Sequence, residues 1–174
     1  MNVVDLENAI RAWVLSSSGL SAGAVVFAHQ DGRVPEEGAY ISLGDIVQVG
    51  LDELRWSFDP GQPAGQEVGF TTNGPRTFTV TCSFFGGPTT GSPTSRSRAL
   101  DCQSALRLPT VRSALNAAGL GVLQEGTVRW VPAMDGTGWQ GGAVLEVLFC
   151  ARQTASERTG YISQYEGSAT LTGA

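Results

Sequence analysis

His29 is the only imidazole in the chain, so any Ser–His–acid relay would have to run through it. No Gly-x-Ser-x-Gly elbow accompanies it. It stands before QDGRVPEEG, a turn-rich stretch in which a solvent-facing histidine is the plainer reading. Glu36–Glu37 and Asp52–Glu53 are adjacent acids. General acid–base work needs two carboxyls facing across a cleft, whereas sequence neighbours solvate a loop. GLGVLQEG, residues 119–126, offers a Gly-x-Gly but no third glycine at dinucleotide spacing, and it follows a helical pattern instead of a strand. Glu146 lies inside the apolar run AVLEVLF. A buried acid can mark a site, but solvent or an arginine such as Arg129 on an adjacent strand accounts for it as well.

Cys82, Cys102 and Cys150 are odd in number, far apart and without a CxxC pair, and read as buried free thiols. One histidine and no ligand spacing leave no zinc site to expect. All eleven basic residues are arginine. Without lysine there is neither a Walker loop nor Schiff-base chemistry. Sixteen acids set the net charge at −5, a poor balance for gripping a phosphate backbone. Arginine used alone favours planar contacts with carboxylates, which suits protein interfaces. The expectation is therefore no enzyme, with no catalytic, cofactor-binding or metal-ligating residue.

Aromatic side chains in loose segments stand out instead. Trp56 and Phe58 sit in DELRWSFDPGQPAGQEVGFTTN, and Trp139 sits among the glycines of GTGWQGG. Such groups are costly unless covered. Each either folds onto its own core or is covered by a neighbouring subunit.

Several elements must position these groups. Val3, Leu6, Ile10, Trp13 and Val14 predict an amphipathic N-terminal helix ending at residues 16–19. AVVFA predicts a short strand. In AYISLGDIVQVGL, residues Ile41, Leu43, Val47, Val49 and Leu51 share one parity, with Gly44 marking a bulge. Residues 52–73 read as a long flexible loop. RTFTVTCSFFG predicts a strand with Phe78, Val80, Cys82 and Phe84 on a buried face and threonines on the other. Ser92–Pro93 looks like a helix start, and Ala99, Cys102 and Leu106 form its stripe. Pro109 opens a second short helix that Gly119 stops. TVRWV and AVLEVLFCA are further strands, and the tail GYISQYEGSATLTG is weakly strand-like. The order predicts one α+β domain over residues 1–174, a mostly antiparallel sheet with the N-terminal helix and a helix pair packed on one face. No apolar run approaches the roughly 20 residues that span a bilayer. MNVVDLENAI has no early basic residue, so no secretory signal is expected and cytosolic synthesis follows.

Taken in order, RTFTVTCSFFG, VRSALNAAGLGV, GTGWQGGAVLEVLFCAR and RTGYISQYEGSATLTG resemble the phage neck or tail terminator (tail-completion) proteins. The likeness runs from Ala39 to the C-terminus. It departs at Ser163, where the family pattern has an acid after GYI, and the N-terminal third matches only loosely. The resemblance implies a virion protein of the tail and neck, present in the host cytoplasm during assembly. It implies a ring, typically of six copies, at the head-proximal end of the tail. The ring stops tube growth, gives the neck or head-completion protein a docking surface, and in contractile tails holds the last sheath ring. Implied partners are thus copies of itself, the tail-tube protein, the neck protein and the sheath. DNA only passes through the lumen, and no membrane is involved. A head-completion or neck connector, or a tail-tube protein, is the alternative. Extended loops between subunits make Arg55, Trp56, Phe58, Arg76 and Trp139 the candidate interface residues. On this reading Trp139→Ala loosens the subunit or its assembly, and an unchanged melting temperature with unchanged oligomer size would refute it.

Overall fold

The structure, a computed structural model, describes residues 3–29, 37–86, 94–131, 133–135 and 138–159. Helix α1 (Val3–Ser18) opens the chain with Asp5 in its first turn, where the helix dipole favours an anion. Leu6, Ile10, Trp13 and Val14 bury its inner stripe, while Val3 stays exposed. Gly19 ends it in the left-handed conformation. After β1 (Val25–Phe27) come β2 (Gly38–Leu43), β3 (Val47–Gln48), β4 (Glu53–Phe58) and the long β5 (Val68–Phe85). Helices α2 (Ser95–Ala105) and α3 (Pro109–Ala117) follow. The chain continues through β6 (Leu120–Glu125), β7 (Arg129–Trp130), a small β8–β9 hairpin (Ala133–Asp135, Gly138–Gln140) and the long β10 (Gly142–Thr159).

The main sheet runs β1-β2-β5-β10-β6, with β3 and β4 also paired to β5 and β7 to β10. Among the described residues only the β1–β2 pair is parallel. This is the expected α+β class, a mostly antiparallel sheet with helices. One sheet face is buried: Phe78, Val80, Cys82 and Phe84 from β5, and Ala143, Leu145, Val147 and Phe149 from β10. Helices supply the rest of the core. The Trp13 indole donates to the Cys102 carbonyl oxygen at 3.2 Å and stands edge-on to Phe149, at 6.0 Å between ring centroids. One side chain thereby joins α1, α2 and the sheet. Burial pushes the Cys82 thiol far up and the Cys102 thiol to about 12, so both stay protonated at neutral pH. The three cysteines are free, with Cys150 half-buried.

Local rules explain the joints. Thr94, not the expected Ser92, caps α2 by accepting from the Ser97 amide at 3.2 Å; Ser92–Pro93 lies outside the described residues. Pro109 occupies the first turn of α3, and Gly119 follows that helix with φ +80°. Arg107 and Arg112 both grip Glu125, at 2.9 and 3.0 Å, and tie the α2–α3 corner to β6. Their hydrogen bonds, Arg107 foremost, hold the Glu125 carboxyl below its usual range. Glu146 pairs with Arg129 at 2.6 Å, on the sheet face away from the helices.

Two further expectations need correction. Val47, Val49 and Leu51 were expected to face inward with Ile41, but they are exposed. Ile41 pairs with Cys82 and Leu43 with Val80, whereas Val47 pairs with Thr77. The ladder therefore slips by one residue around Gly44, whose amide donates to the Thr79 oxygen. A one-residue slip turns every following side chain to the other face. The second correction concerns residues 52–73, which were expected to form one long loop. They contain β4 and the start of β5.

Glycine tolerance checks these joints. Gly119→Ala has open space for its Cβ and should cost about 1 kcal/mol, from the left-handed backbone alone. At Gly126 a Cβ would stand 1.9 Å from the Glu146 oxygen. Gly126→Ala should therefore cost more, about 2–3 kcal/mol, since backbone must move. Urea unfolding midpoints of the two variants measure the difference.

Candidate functional site

β5 and β10 are each eighteen residues long and pair without a break from Gly142↔Phe85 to Thr159↔Val68. The helices cover only the half of this ribbon nearest Phe85. Side chains on paired strands keep their face along an unbroken register. The face that buries Phe78 and Phe149 therefore continues as Thr72, Phe70 and Val68 of β5, and as Ala155 and Glu157 of β10. Strand β4 adds Leu54, Trp56 and Phe58, opposite Thr72, Phe70 and Val68 respectively. The result is a three-stranded arm whose apolar face extends the core face. Leu54 is 62% exposed, Trp56 72% and Phe58 47%.

The arm's other face is polar. Thr154 donates to Asn73 at 2.8 Å, the Thr71 and Ser156 hydroxyls meet at 3.4 Å, and Arg55 pairs with Glu53 at 2.9 Å. At the distal turn Asp59 accepts from the Gly61 amide (3.0 Å) and the Gln62 amide group (2.8 Å). Those bonds, the Gln62 one foremost, hold its carboxyl below the usual range.

Arg76 marks the place where core becomes arm. Its guanidinium makes a bidentate pair with Asp52, 2.7 Å on each limb, and its Nε donates to Gln153 at 2.8 Å. β5, β10 and the entry to β4 are thus joined at one side chain, which is only 11% exposed. Bidentate arginine–carboxylate contacts fix geometry as well as adding energy. Gly74 makes room for the pair: a Cβ there would lie 1.7 Å from an Asp52 oxygen and 2.6 Å from Arg76.

The structure gathers four of the five sequence-derived candidates on this arm. Trp56 and Phe58 share its apolar face, Arg55 lies on the polar face holding a carboxylate of its own strand, and Arg76 is the internal latch at the base. Trp139 does not join them. Its backbone lies in β9, paired with Met134, and its side chain lies outside the described residues, as does the whole GYI segment. His29 sits in a turn, 3.6 Å from Glu7 and 5.7 Å from the Phe27 ring between centroids. Among the described residues no cluster of His, Cys, Asp and Glu could hold a metal ion.

Sequence reasoning missed the amphipathic character of the arm. The signal was present: Leu54, Trp56 and Phe58 alternate with Glu53, Arg55 and Ser57, and Val68, Phe70 and Thr72 repeat the period of two. The Asp52–Arg76 latch left no such trace.

The model of a family described as phage neck terminator protein matches residues 4–173. The match takes in the N-terminal third, where the resemblance by motif was loose. No curated protein matches the chain.

Acid tests the latch. The Arg76 hydrogen bonds lower the Asp52 carboxyl in the folded chain. A carboxyl lowered by folding adds stability that is complete above its unfolded value, about 3.9, and is lost as pH falls through the folded value. Amide NMR signals of β4 should therefore shift towards unpaired positions below about pH 4, before those of Val80 or Val147 move. Asp52→Asn should abolish that separate acid transition. An arm that stays paired down to the global acid transition would remove the latch from the account.

Proposed function

This chain belongs to the phage neck terminator protein family, structural components of the virion's tail and neck, and we propose from that premise that its arm joins one subunit to the next in a closed ring. The ring, taken as six copies, caps the head-proximal end of the tail tube and presents the opposite side to the neck. The observation that carries this reading is the open apolar face of the arm. It belongs to the same sheet surface as the core, yet helices cover only the half nearest Phe85. Exposed contiguous apolar surface on a folded protein marks an interaction site, and tryptophan, tyrosine and arginine concentrate the energy of such contacts.

Chemistry agrees with a passive ring. Neither buried thiol, Cys82 or Cys102, is ionised at neutral pH. The net charge of −5 suits a passage for DNA, because a basic lining would hold the phosphate backbone. An inner wall rich in arginine would contradict that part of the reading.

Mass measurement in solution discriminates among assembly roles. Alone, the chain should remain a subunit or form a closed ring of fixed mass; mixed with tail-tube protein, it should bind tube ends and stop their growth. Unlimited self-polymerisation would assign it to the tube instead, and indifference to tube ends would favour a head-completion role. Trp56→Ala should weaken ring formation by a factor of ten or more, on the order of 1.4 kcal/mol per contact or greater, without lowering the melting temperature.

A further inference from the structure

Resting on that ring reading, we infer that the arm of one subunit is received by a cleft between α1 and α3 of the next. The cleft has a volume of about 470 Å³. Its walls are small or apolar: Ala9 and Ala12 from α1, Thr110, Val111 and Ala114 from α3, with Trp13 as its floor. Alanines facing each other across two helices leave the room, and Trp13 is fixed at the bottom by its bond to Cys102. This is a concave apolar site on one part of the chain, and Trp56 is a large exposed aromatic on another.

Two further observations select a second copy as the occupant. First, the arm cannot serve its own cleft. Its strands continue those of the core in one unbroken register, and the Arg76 latch holds them at the base. Second, the exposed apolar area is substantial. Leu54, Trp56 and Phe58, 62%, 72% and 47% exposed, leave on the order of 400 Å² to bury, about half of the roughly 800 Å² per partner of a stable contact. Arm and cleft are different surfaces, so the contact is head-to-tail, the kind that generates rings.

Photocrosslinking of the full chain tests this. p-Benzoylphenylalanine replaces Trp56 in ¹⁵N-labelled protein, which is mixed with unlabelled protein at about 1 mM and irradiated. Crosslinks between labelled and unlabelled copies should fall on residues 9–16 and 110–115. Ala114→Glu, at an exposed helical position that tolerates the change, should lower their yield about tenfold. Thr71→Glu, on the polar back of the arm, should leave it unchanged. Crosslinks within one chain to residues 160–174, crosslinks between copies elsewhere, or none between copies would each overturn the cleft. The ring reading fails separately. Closed oligomers whose crosslinks lie elsewhere keep the ring and remove the cleft; crosslinks in the cleft without any closed oligomer, with or without tube, keep the contact and remove the ring.

Discussion

The structure depends on the unbroken pairing of β5 with β10. Eighteen residue pairs in one register make a ribbon about 60 Å long. The longest helix among the described residues has sixteen of them and spans about 24 Å. Helices of that size cannot roof such a ribbon. The chain therefore has a covered half, which is its core, and an open half, which is its arm. Both follow from strand length set against helix length, and both keep the same alternation of side chains. The interface proposed for the arm is thus an extension of the interior rather than a patch added to the surface.

Such a ribbon needs a defined boundary between its halves, or water reaches the core along the inward face. Arg76 supplies it. The residue lies on that face, just past Phe78, with its charge satisfied by Asp52, which immediately precedes β4, and by Gln153 of β10. A partly buried charge is tolerable only when paired and hydrogen-bonded. Gly74 contributes by being absent as a side chain, since any Cβ would occupy the place of the carboxylate. Trp13 does the corresponding work at the helical end, joining α1 to α2 and to Phe149.

Much of this was legible in the sequence wherever one element decides its own pattern. The stripe of α1, the alternation of β5 around Phe78, the stop at Gly119 and the Glu146–Arg129 pairing all rest on local spacing or one neighbouring strand. Residues 52–73 were not legible as strands because the proline and glycine of the 59–67 turn spread their signal over both flanks. The strand β4 is also short, and its partner β5 pairs in turn with β10, about eighty residues further along. The outward turn of Val47 hid in a register slip that only pairing reveals. The cleft between α1 and α3 was beyond reach for the same reason: its walls are about a hundred residues apart in sequence.

An open apolar arm is also a hazard, and the rest of its design limits that hazard. Edge strands with hydrophobic faces invite indiscriminate pairing. Here one face is hydroxyl- and amide-rich, Arg55 and Glu53 place charge on the outer strand, and the distal turn is tied by Asp59 and Glu67. A head-to-tail contact can close into a ring or run on as a filament, depending on the angle each subunit imposes. In the proposed contact that angle is set where the arm leaves the core. The bidentate Asp52–Arg76 pair and its bond to Gln153 hold β5, β10 and the entry to β4 there at once. In the proposed ring a hinge at that point would let successive subunits splay and the ring fail to close, so the proposed contact depends on the latch for its angle as well as for the order of the arm.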